Sequence, residues 1–322
     1  MSSYHALIDH GDIDGLVRHI DVLTSARDWD EMFDLRTAAR AAASSGRQVW
    51  PAATLADYRL ALHAPAHHAA RVLDDAGRFT LGPLTEVVAQ HHTFAELRPH
   101  LADGPTQAYI AHERAIRGEL IDTDIFPALD VPARLAAWEP DYLLPIYRDS
   151  DVELPSPDSS SSWTTLDRRD AHAMPAAGVD EAFRLLIEPW MQADSVTWNV
   201  SSSDSLDDAI SLLAKSDART SPMATGDALT LLVWAGASGG PSGRRRGNAA
   251  GRDNAWWLLA AITGGVDGWP PTSDELGSRL GELSWSAWDS GQDRRGWSLG
   301  FAVHDSKSAR AWAFDAHEPA IA

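Results

Sequence analysis

Residues 236–257 read GASGGPSGRRRGNAAGRDNAWW. The stretch is rich in glycine and, in a chain whose formal net charge is −19, it carries four arginines: Arg244, Arg245, Arg246 and Arg252. The mostly apolar run Leu229–Trp234 before it predicts a strand, and Asn248–Ile262 predicts a helix. A strand, a glycine loop and a helix start can bind an anion, because backbone N–H groups and the positive end of the helix dipole converge there. The stretch therefore predicts a helix close to a sheet and the best place for a ligand.

Outward from this stretch, the second half of the chain mixes strands and helices. Ser195–Ser201 alternates polar and apolar residues as a strand does, whereas Asp204–Lys215 and Asp274–Leu280 predict helices. Three further strand-like runs follow, separated by predicted turns at 289–296 and 305–308: Leu283–Trp288, Trp297–Val303 and Ala309–Ala316. We expect an antiparallel β-meander with helices packed on one face, which is an α+β domain.

The first half of the chain predicts helices. Asp30–Ala43 is rich in Ala, Leu and Arg, Ala52–Leu62 follows a proline, and Thr106–Arg117 follows a Gly-Pro break. Thr93 and Glu96 have the spacing of a capping box, which marks the start of a short helix. Short helices joined by brief turns favour either an all-helical bundle or an array of helix pairs.

Tryptophan and histidine divide the chain into two parts. Eleven of the 14 tryptophans lie from Trp163 onward, and ten of the 13 histidines lie at or before His112. Between these parts, residues 149–162 are acidic and rich in Pro and Ser, a composition that cannot bury enough apolar surface to order itself. We therefore predict an all-α domain over 1–148, a linker over 149–162 and a Trp-rich α+β domain over 163–322, giving an α+β protein.

The composition indicates a soluble globular protein and excludes several classes of function. Without cysteine the chain has no disulfides and no thiolate metal sites. With 46 acidic against 27 basic residues it repels polyanions, so nucleic-acid binding is not expected. The apolar runs are far shorter than the ~20 residues of a membrane span, and the N-terminus lacks the pattern of a signal peptide. We expect a cytoplasmic protein that binds no membrane.

Several short motifs resemble those of one known family. They are WPAA at 50–53 with YRLAL at 58–62, GRFTLGPL at 77–84, AHERAIRG at 111–118, GRRRG at 243–247 with GR at 251–252 and WW at 256–257, WD at 288–289 with GW at 296–297, and AWAFD at 311–315. The family is an uncharacterised actinobacterial one, a domain of unknown function. The resemblance covers most of the chain outside the predicted linker and implies a bacterial cytoplasmic protein. It implies no activity and no catalytic residue.

The candidate ligand-binding residues for an anion are Arg244, Arg245, Arg246, Asn248 and Arg252. If the helix begins a turn before Asn248, Arg244 and Arg252 share one face with it at four-residue steps. Guanidinium groups suit bidentate contacts with carboxylates or phosphates, although the glycine spacing is neither that of a P-loop nor that of a dinucleotide-binding fold. The alternative is structural, because arginines in an acidic protein often pair with neighbouring carboxylates inside the fold.

Other residue types give weaker candidates. The aspartates of the second half mostly lie at predicted turns or helix starts, where they have a local role, but Asp315 lies within a strand-like run. His63 and His67 have a metal-ligand spacing, yet Pro65 between them breaks the helix that this geometry needs. The serines of the glycine loop have no histidine near them in sequence for a catalytic triad. We therefore expect no metal and no cofactor.

Three hypotheses for function remain open. The first is a non-enzymatic interaction or ligand-binding protein with a protein partner or a small anionic ligand, favoured because no nucleophile–base pair or metal motif is evident. The second is an enzyme that acts on a small phosphorylated or carboxylated substrate at the arginine loop. The third is a structural subunit of a larger assembly. The surroundings of the loop distinguish the first two hypotheses, because the enzyme requires that the loop opens into a pocket that also contains Asp or His.

Limited proteolysis tests the predicted domain boundaries. Proteases cleave first where the backbone is exposed and unpaired, so we expect the first cut between Asp149 and Ser162. The fragments are identified by mass spectrometry. A first cut within Ala52–Leu62 or within Asn248–Ile262 would contradict the assignment of those segments to packed helices.

Overall fold

The computed structural model describes residues 3–73, 80–157, 162–192, 195–214, 218–240, 243–290 and 295–319. The chain forms two units, one made of Met1–Ala128 and Leu144–Leu154, the other of Leu129–Leu143 and Pro155–Ala322. The chain thus enters the second unit for a short stretch, returns to the first and then completes the second. The last of these crossings falls within the predicted linker, whose boundaries remain a prediction.

The described residues of the first unit form eight α-helices and one short hairpin. The helices are α1 Ser3–His10, α2 Ile13–Ala26, α3 Trp29–Ser44, α4 Trp50–His63, α5 Ala66–Ala69, α6 Leu84–Val88, α7 Phe94–Leu97 and α8 Pro105–Ile116, and the strands are β1 Ile146–Tyr147 and β2 Val152–Glu153. Short 3₁₀ turns at Ala70–Val72 and Arg98–His100 extend α5 and α7. The predicted helices at 30–43, 52–62 and 106–117 are confirmed, with ends that differ by one or two residues.

Local sequence signals set the starts of these helices. Asp12 accepts a hydrogen bond from the backbone N of Gly15 at 2.8 Å and begins α2, and Asp28 caps α3 in the same way. Thr93 and Glu96 form the predicted capping box at the start of α7, with hydrogen bonds in both directions. The polar residues between the helices therefore satisfy backbone donors that the helices themselves leave unpaired.

Helix α4 is the centre of the first unit. Residues 56–62 of α4 are all buried, and α2, α3, α5 and α6 pack against it. The amphipathic α2 contributes Leu16, Ile20 and Leu23, which recur at four- and three-residue steps on its buried face. Of the two arrangements that the sequence leaves open, this one is a bundle, built around a single alanine-rich helix.

A charged group lies inside this apolar bundle. Asp57 of α4 is 0% exposed and accepts hydrogen bonds from Arg36 Nε at 2.7 Å and from Arg40 Nη2 at 2.6 Å. Both arginines belong to α3. Because a carboxylate taken out of water must be paired and hydrogen-bonded, these contacts fix the position of α3 along α4.

Residues 144–154 return to the first unit and are held there through their backbone. Gln90 exchanges two hydrogen bonds with Tyr147: the Tyr147 N–H donates to Gln90 Oε1 at 2.7 Å, and Gln90 Nε2 donates to the Tyr147 carbonyl at 3.0 Å. The Tyr147 hydroxyl donates to the buried Glu86 at 2.5 Å, and Gly82 leaves room for the tyrosine ring. The first residues of the predicted linker therefore carry a strand, β2, paired with β1.

The second unit is the α+β part of the chain. Its elements are β3 Thr164–Leu166, α9 Val179–Leu186, β4 Thr197–Ser203, α10 Leu206–Leu213, β5 Ala218–Met223, α11 Thr225–Ala237, α12 Asn248–Thr263, α13 Ser273–Leu280, β6 Leu283–Asp289, β7 Gly296–Asp305 and β8 Arg310–Pro319. The predicted meander is confirmed as β6–β7–β8 within an antiparallel six-stranded sheet of order β3-β5-β6-β7-β8-β4. No helix in the described part of the chain is long and apolar enough to cross a membrane.

Helices pack on both faces of the sheet, so the expectation of helices on a single face was wrong. On one face, Phe183 of α9 lies 5.0 Å from Phe314, which stacks on Phe301 at 4.4 Å between ring centroids. On the other face, Ala209 and Ile210 of α10 pack on small residues of β7 and β8. Because successive side chains of these strands point to opposite faces, the sheet has one aromatic face, which packs against α9, and one alanine-rich face, which packs against α10.

The predicted strand Leu229–Trp234 is wrong, because these residues lie inside α11. Helix α11 packs against α9, α12 and β6, so apolar residues occupy several of its sides and the helical period disappears from the sequence. The small residues of α12 therefore approach a helix and not a sheet: a Cβ on Gly251 would overlap the Val233 carbonyl and Ala237 of α11.

The sequence does not predict strand β5, because it contains Pro222 and proline is disfavoured in a central strand. In the structure β3 pairs only with residues 218–220 of β5, while Pro222 pairs with Ser286 on the opposite side. The proline therefore lies in the part of β5 that β3 does not cover, where the strand is an edge on one side.

The buried charge of α4 gives a stability prediction. Asp57→Asn removes the buried carboxylate charge that Arg36 and Arg40 share, and we expect the free energy of unfolding to fall by about 3–5 kcal/mol. Urea denaturation of the full chain measures the change. Asp9→Asn is the matched control, because Asp9 pairs with Arg47 at an exposed site. Equal losses in the two variants would show that burial does not set the cost.

Candidate functional site

The glycine loop joins α11 to α12, and its described residues, 238–240 and 243–247, are tightly packed. A Cβ on Gly239 would overlap the backbone of Arg244, and a Cβ on Gly243 would overlap the Gly239 carbonyl. Only glycine allows these approaches. Gly239 and Gly243 therefore bring the two described parts of the loop into close backbone contact.

Three of the five predicted ligand residues are arginines displayed by this loop. Arg244 and Arg246 are exposed, and Arg245 is half-buried. Arg245 Nη2 donates to Asn248 Oδ1 at 2.8 Å, and Arg246 forms a salt bridge with Glu188 at the surface. Exposed ion pairs contribute only ~0–1 kcal/mol, so an anionic ligand can replace Glu188 at little cost.

The start of α12 adds to the positive potential of the loop. Gly247 is its N-cap and has no side chain to accept from the first N–H groups of the helix. Asn248 is buried, and its Nδ2 donates to the Leu143 carbonyl at 2.8 Å. The amide of Asn248 thus holds the helix start in place, while the helix dipole favours negative charge beside the arginines.

Arg252 lies one turn further along α12 and is an internal ion-pair partner. Its side chain is 0% exposed: Nε and Nη2 donate to the two oxygens of Glu139 at 2.6 and 2.7 Å, and Nη1 donates to the Pro132 carbonyl at 2.7 Å. Glu139 also accepts from the Ala136 N–H at 2.9 Å and from the Tyr142 hydroxyl at 2.8 Å. Each nitrogen of the guanidinium is thus engaged inside the second unit, which is the structural alternative left open by the sequence.

This pair shapes the electrostatics of its surroundings. Burial disfavours the charged form of Glu139, but the hydrogen bonds and charge of Arg252 outweigh it and hold the pKa of Glu139 below its ordinary value. Burial and the neighbouring Glu139 charge together raise the pKa of Tyr142 well above its ordinary value. The ion pair is therefore fully formed at neutral pH, and the tyrosine stays a hydrogen-bond donor to it.

A cluster of three tryptophans adjoins the glycine loop: Trp190, Trp234 and Trp297. Trp234 stacks on Trp297 at 5.1 Å and 16°, and Trp190 stands almost perpendicular to both. Glu318 of β8 is the cross-strand neighbour of Trp297 and is 0% exposed. A Cβ on Gly240 would overlap Glu318 Oε2 and touch Trp190, so the glycine lets the carboxylate reach the loop.

A cleft of about 580 Å³ opens on the α10 face of the sheet, where α10 ends. Its lining includes Asn199, Asp315 and His317 from the strands, together with Leu213 and Trp288. Asp315, the aspartate without a local role in the sequence, therefore lies in a cavity. A smaller cavity of about 300 Å³ lies beside α13. The arginines of the glycine loop line neither cavity.

Three of the remaining sequence candidates have structural partners. Asp305 ends β7 and accepts from an arginine of α13, and His63 Nε2 lies 2.5 Å from Asp149 Oδ1. The hydroxyl of Ser238 accepts from Trp190 Nε1 at 3.1 Å. Two further candidates lie outside the described residues: Ser242 and Asp293. Within the described ranges, no group of three or more His, Cys, Asp or Glu side chains is placed to hold a metal ion.

The chain matches the family model described as "Family of unknown function (DUF6183)" over residues 14–318. The chain belongs to this family. No curated protein and no solved structure matches it. The resemblance to a domain of unknown function is therefore confirmed, whereas the individual motifs and an actinobacterial origin stay predictions. Because the family description names no activity, functional inference rests on the geometry of the residues described above.

Sequence reasoning missed the two carboxylates that matter most around the loop. Glu139 precedes Arg252 by more than a hundred residues, and nothing in the sequence links the two. Glu318 had a usable signal: the alternation of β8 puts it on the same face as Phe314 and Ala316, which are buried. Extending the predicted strand by two residues would have placed this carboxylate in the aromatic core.

Arg252→Ala tests the structural assignment of this arginine. The change leaves Glu139 buried and unpaired, so we expect the free energy of unfolding to fall by about 3–5 kcal/mol in guanidinium denaturation. Arg184→Ala is the control, because Arg184 pairs with Glu181 at the surface and its loss should change stability little. An Arg252→Ala protein as stable as the control would mean that the pair does not hold the unit together.

The same pair predicts a pH dependence. Because the folded pKa of Glu139 is lowered, its stabilisation is fully present above the ordinary value of 4.5 and is lost as the pH falls through the lower folded value. Acid titrations of thermal stability should therefore be steeper below pH 4.5 for the wild type than for Arg252→Ala. Parallel titration curves would show that the pair contributes nothing to the acid sensitivity.

Proposed function

We propose that the protein is a non-enzymatic ligand-binding protein that holds a small phosphorylated or carboxylated ligand at Arg244, Arg245 and Arg246, beside Asn248. The observation that carries the proposal is the fixed backbone on which these side chains are displayed. Glycine contacts close the loop, and the Arg246 N–H donates to the Ala237 carbonyl at 2.8 Å. Arginine forks on a pre-ordered backbone bind anions with little further loss of entropy.

Charge supports the proposal as well. The chain has a formal net charge of −19, so a group of adjacent arginines at the start of a helix is an exception to its general potential. Arg252 supports α12 from within and makes no ligand contact in this proposal. A cytoplasmic location and an acidic protein partner that presents a carboxylate to the same arginines are compatible with it.

The alternative is an enzyme that acts on a small phosphorylated or carboxylated substrate at the same loop. Such an enzyme needs a general acid or base beside the arginines. Glu188 contacts Arg246, whereas Asp315 and His317 line a cavity that the arginines do not reach. These placements favour binding over catalysis.

A triple variant tests the anion site. Arg244→Gln, Arg245→Gln and Arg246→Gln together remove three charges and leave Arg252 in place. The wild type is screened by thermal shift and calorimetry against inorganic phosphate, nucleoside monophosphates and dicarboxylates. We expect a ligand at 100 times its Kd to add about 2.7 kcal/mol of stability to the wild type, and the triple variant to bind it at least about tenfold more weakly.

A matched variant controls for the lost charge. Arg169→Gln, Arg184→Gln and Arg219→Gln remove the same charge from surface ion pairs elsewhere in the second unit. This control should bind as the wild type does. Equal weakening in both triple variants would show that net charge alone drives binding, and unchanged binding in the first would place the site elsewhere. Turnover of a bound substrate would favour the enzyme alternative.

A further inference from the structure

Glu318 is a fully buried carboxylate without a hydrogen-bond donor in the described part of the chain. Its residue is 0% exposed, and neither Oε1 nor Oε2 has a partner there. Taking an unpaired carboxylate out of water costs several kcal/mol in real proteins. A folded chain that buries Glu318 therefore needs something at this position to offset its charge.

Three other buried carboxylates in the described part of the chain have hydrogen-bond donors. Asp57 accepts from two arginines of α3, and Glu139 accepts from both branches of Arg252. Glu86 accepts from the Tyr147 hydroxyl. Glu318 differs from these, because neither of its oxygens has a hydrogen-bond donor in the described residues and it lies beside Gly240 and across the ladder from Trp297.

The surroundings of Glu318 attract positive charge. The indole N–H of Trp190 donates to the Ala235 carbonyl at 3.0 Å. The atom of this ring that lies near Gly240 is a carbon, Cγ. Trp297 lies directly across the β7–β8 ladder from Glu318. Indoles are the aromatic rings that cations prefer, and desolvation strengthens the attraction.

We propose that Glu318, with the indoles of Trp190 and Trp297, binds one monovalent cation, either an inorganic ion of potassium size or the ammonium group of an organic amine. One carboxylate balances one positive charge. A divalent ion would carry one charge more than this carboxylate balances, and the described residues offer no cluster of three acidic or histidine side chains to supply the second. The site is distinct from Arg244–Arg246 and does not depend on the function proposed for them.

Thermal unfolding in different chloride salts tests the proposal. The full chain is unfolded at one pH and one chloride concentration with potassium, ammonium, methylammonium or the bulky N-methyl-D-glucamine as the cation. Constant chloride keeps any anion site equally occupied. We expect Tm to rise by about 3 °C or more in a cation that binds, relative to N-methyl-D-glucamine. A preference for potassium identifies an inorganic ion, and a preference for methylammonium identifies an amine.

Glu318→Gln removes the charge and keeps the shape of the side chain. We expect this variant to lose the dependence of Tm on the cation, while Glu181→Gln, at an exposed carboxylate of α9, keeps it. A wild type whose Tm is the same in all four salts overturns the proposal. Cation dependence that survives in Glu318→Gln overturns it too.

Crystals of the wild type provide a measurement that needs no variant to fold. The thallous ion has the size of potassium and scatters anomalously, so a soak in thallous nitrate should give an anomalous peak in contact with the Glu318 carboxylate. Potassium or methylammonium in the soak should remove the peak, according to which of them binds. A map without density at Glu318, at a thallous concentration that produces a Tm shift, overturns the proposal.

Discussion

The second unit depends on the buried ion pair between Arg252 and Glu139. Residues 129–143 form no helix or strand, although all of them are described, so no backbone ladder can hold them. They are held by the bidentate pair, by the hydrogen bond from Arg252 to Pro132 and by the packing of Trp138 on Trp256 at 5.3 Å. Because a buried charge is costly without its partner, this irregular stretch has one energetically acceptable position on α12.

The extent to which each arginine is buried explains why Arg246 and Arg252 make different kinds of ion pair. The sequence places Arg244, Asn248 and Arg252 on one face only if the helix begins a turn early. In the structure α12 begins at Asn248, so Arg244 lies in the loop and Arg252 lies inside the unit. Arg246 meets Glu188 at the surface, where water weakens the pair and leaves room for exchange. Burial, and not residue type, separates the structural arginine from the ones that can meet a ligand.

Periodicity made the meander, α12 and the helices of the first unit predictable from the sequence. The side chains of β6–β8 alternate because one face of the sheet is aromatic and the other carries small residues. The alanine-rich composition of α4 predicts a helix. Residues 229–234 of α11 were predicted as a strand because burial on several sides of this helix removes the helical period from its sequence. The partner of Arg252 was unpredictable for a different reason: a contact between residues that are distant in the chain leaves no local pattern, whatever its strength.

The glycine loop shows how one short segment combines close packing with a concentration of positive charge. Gly239 and Gly243 let the loop close on itself, and Gly240 lets it rest on Glu318 and Trp190. A backbone fixed by such approaches cannot accept side chains at these positions without moving, whereas Arg244 and Arg246 are exposed. The close backbone approaches of the loop are thus set by its glycines and its positive charge by its arginines, so the two properties belong to different residues of the same segment.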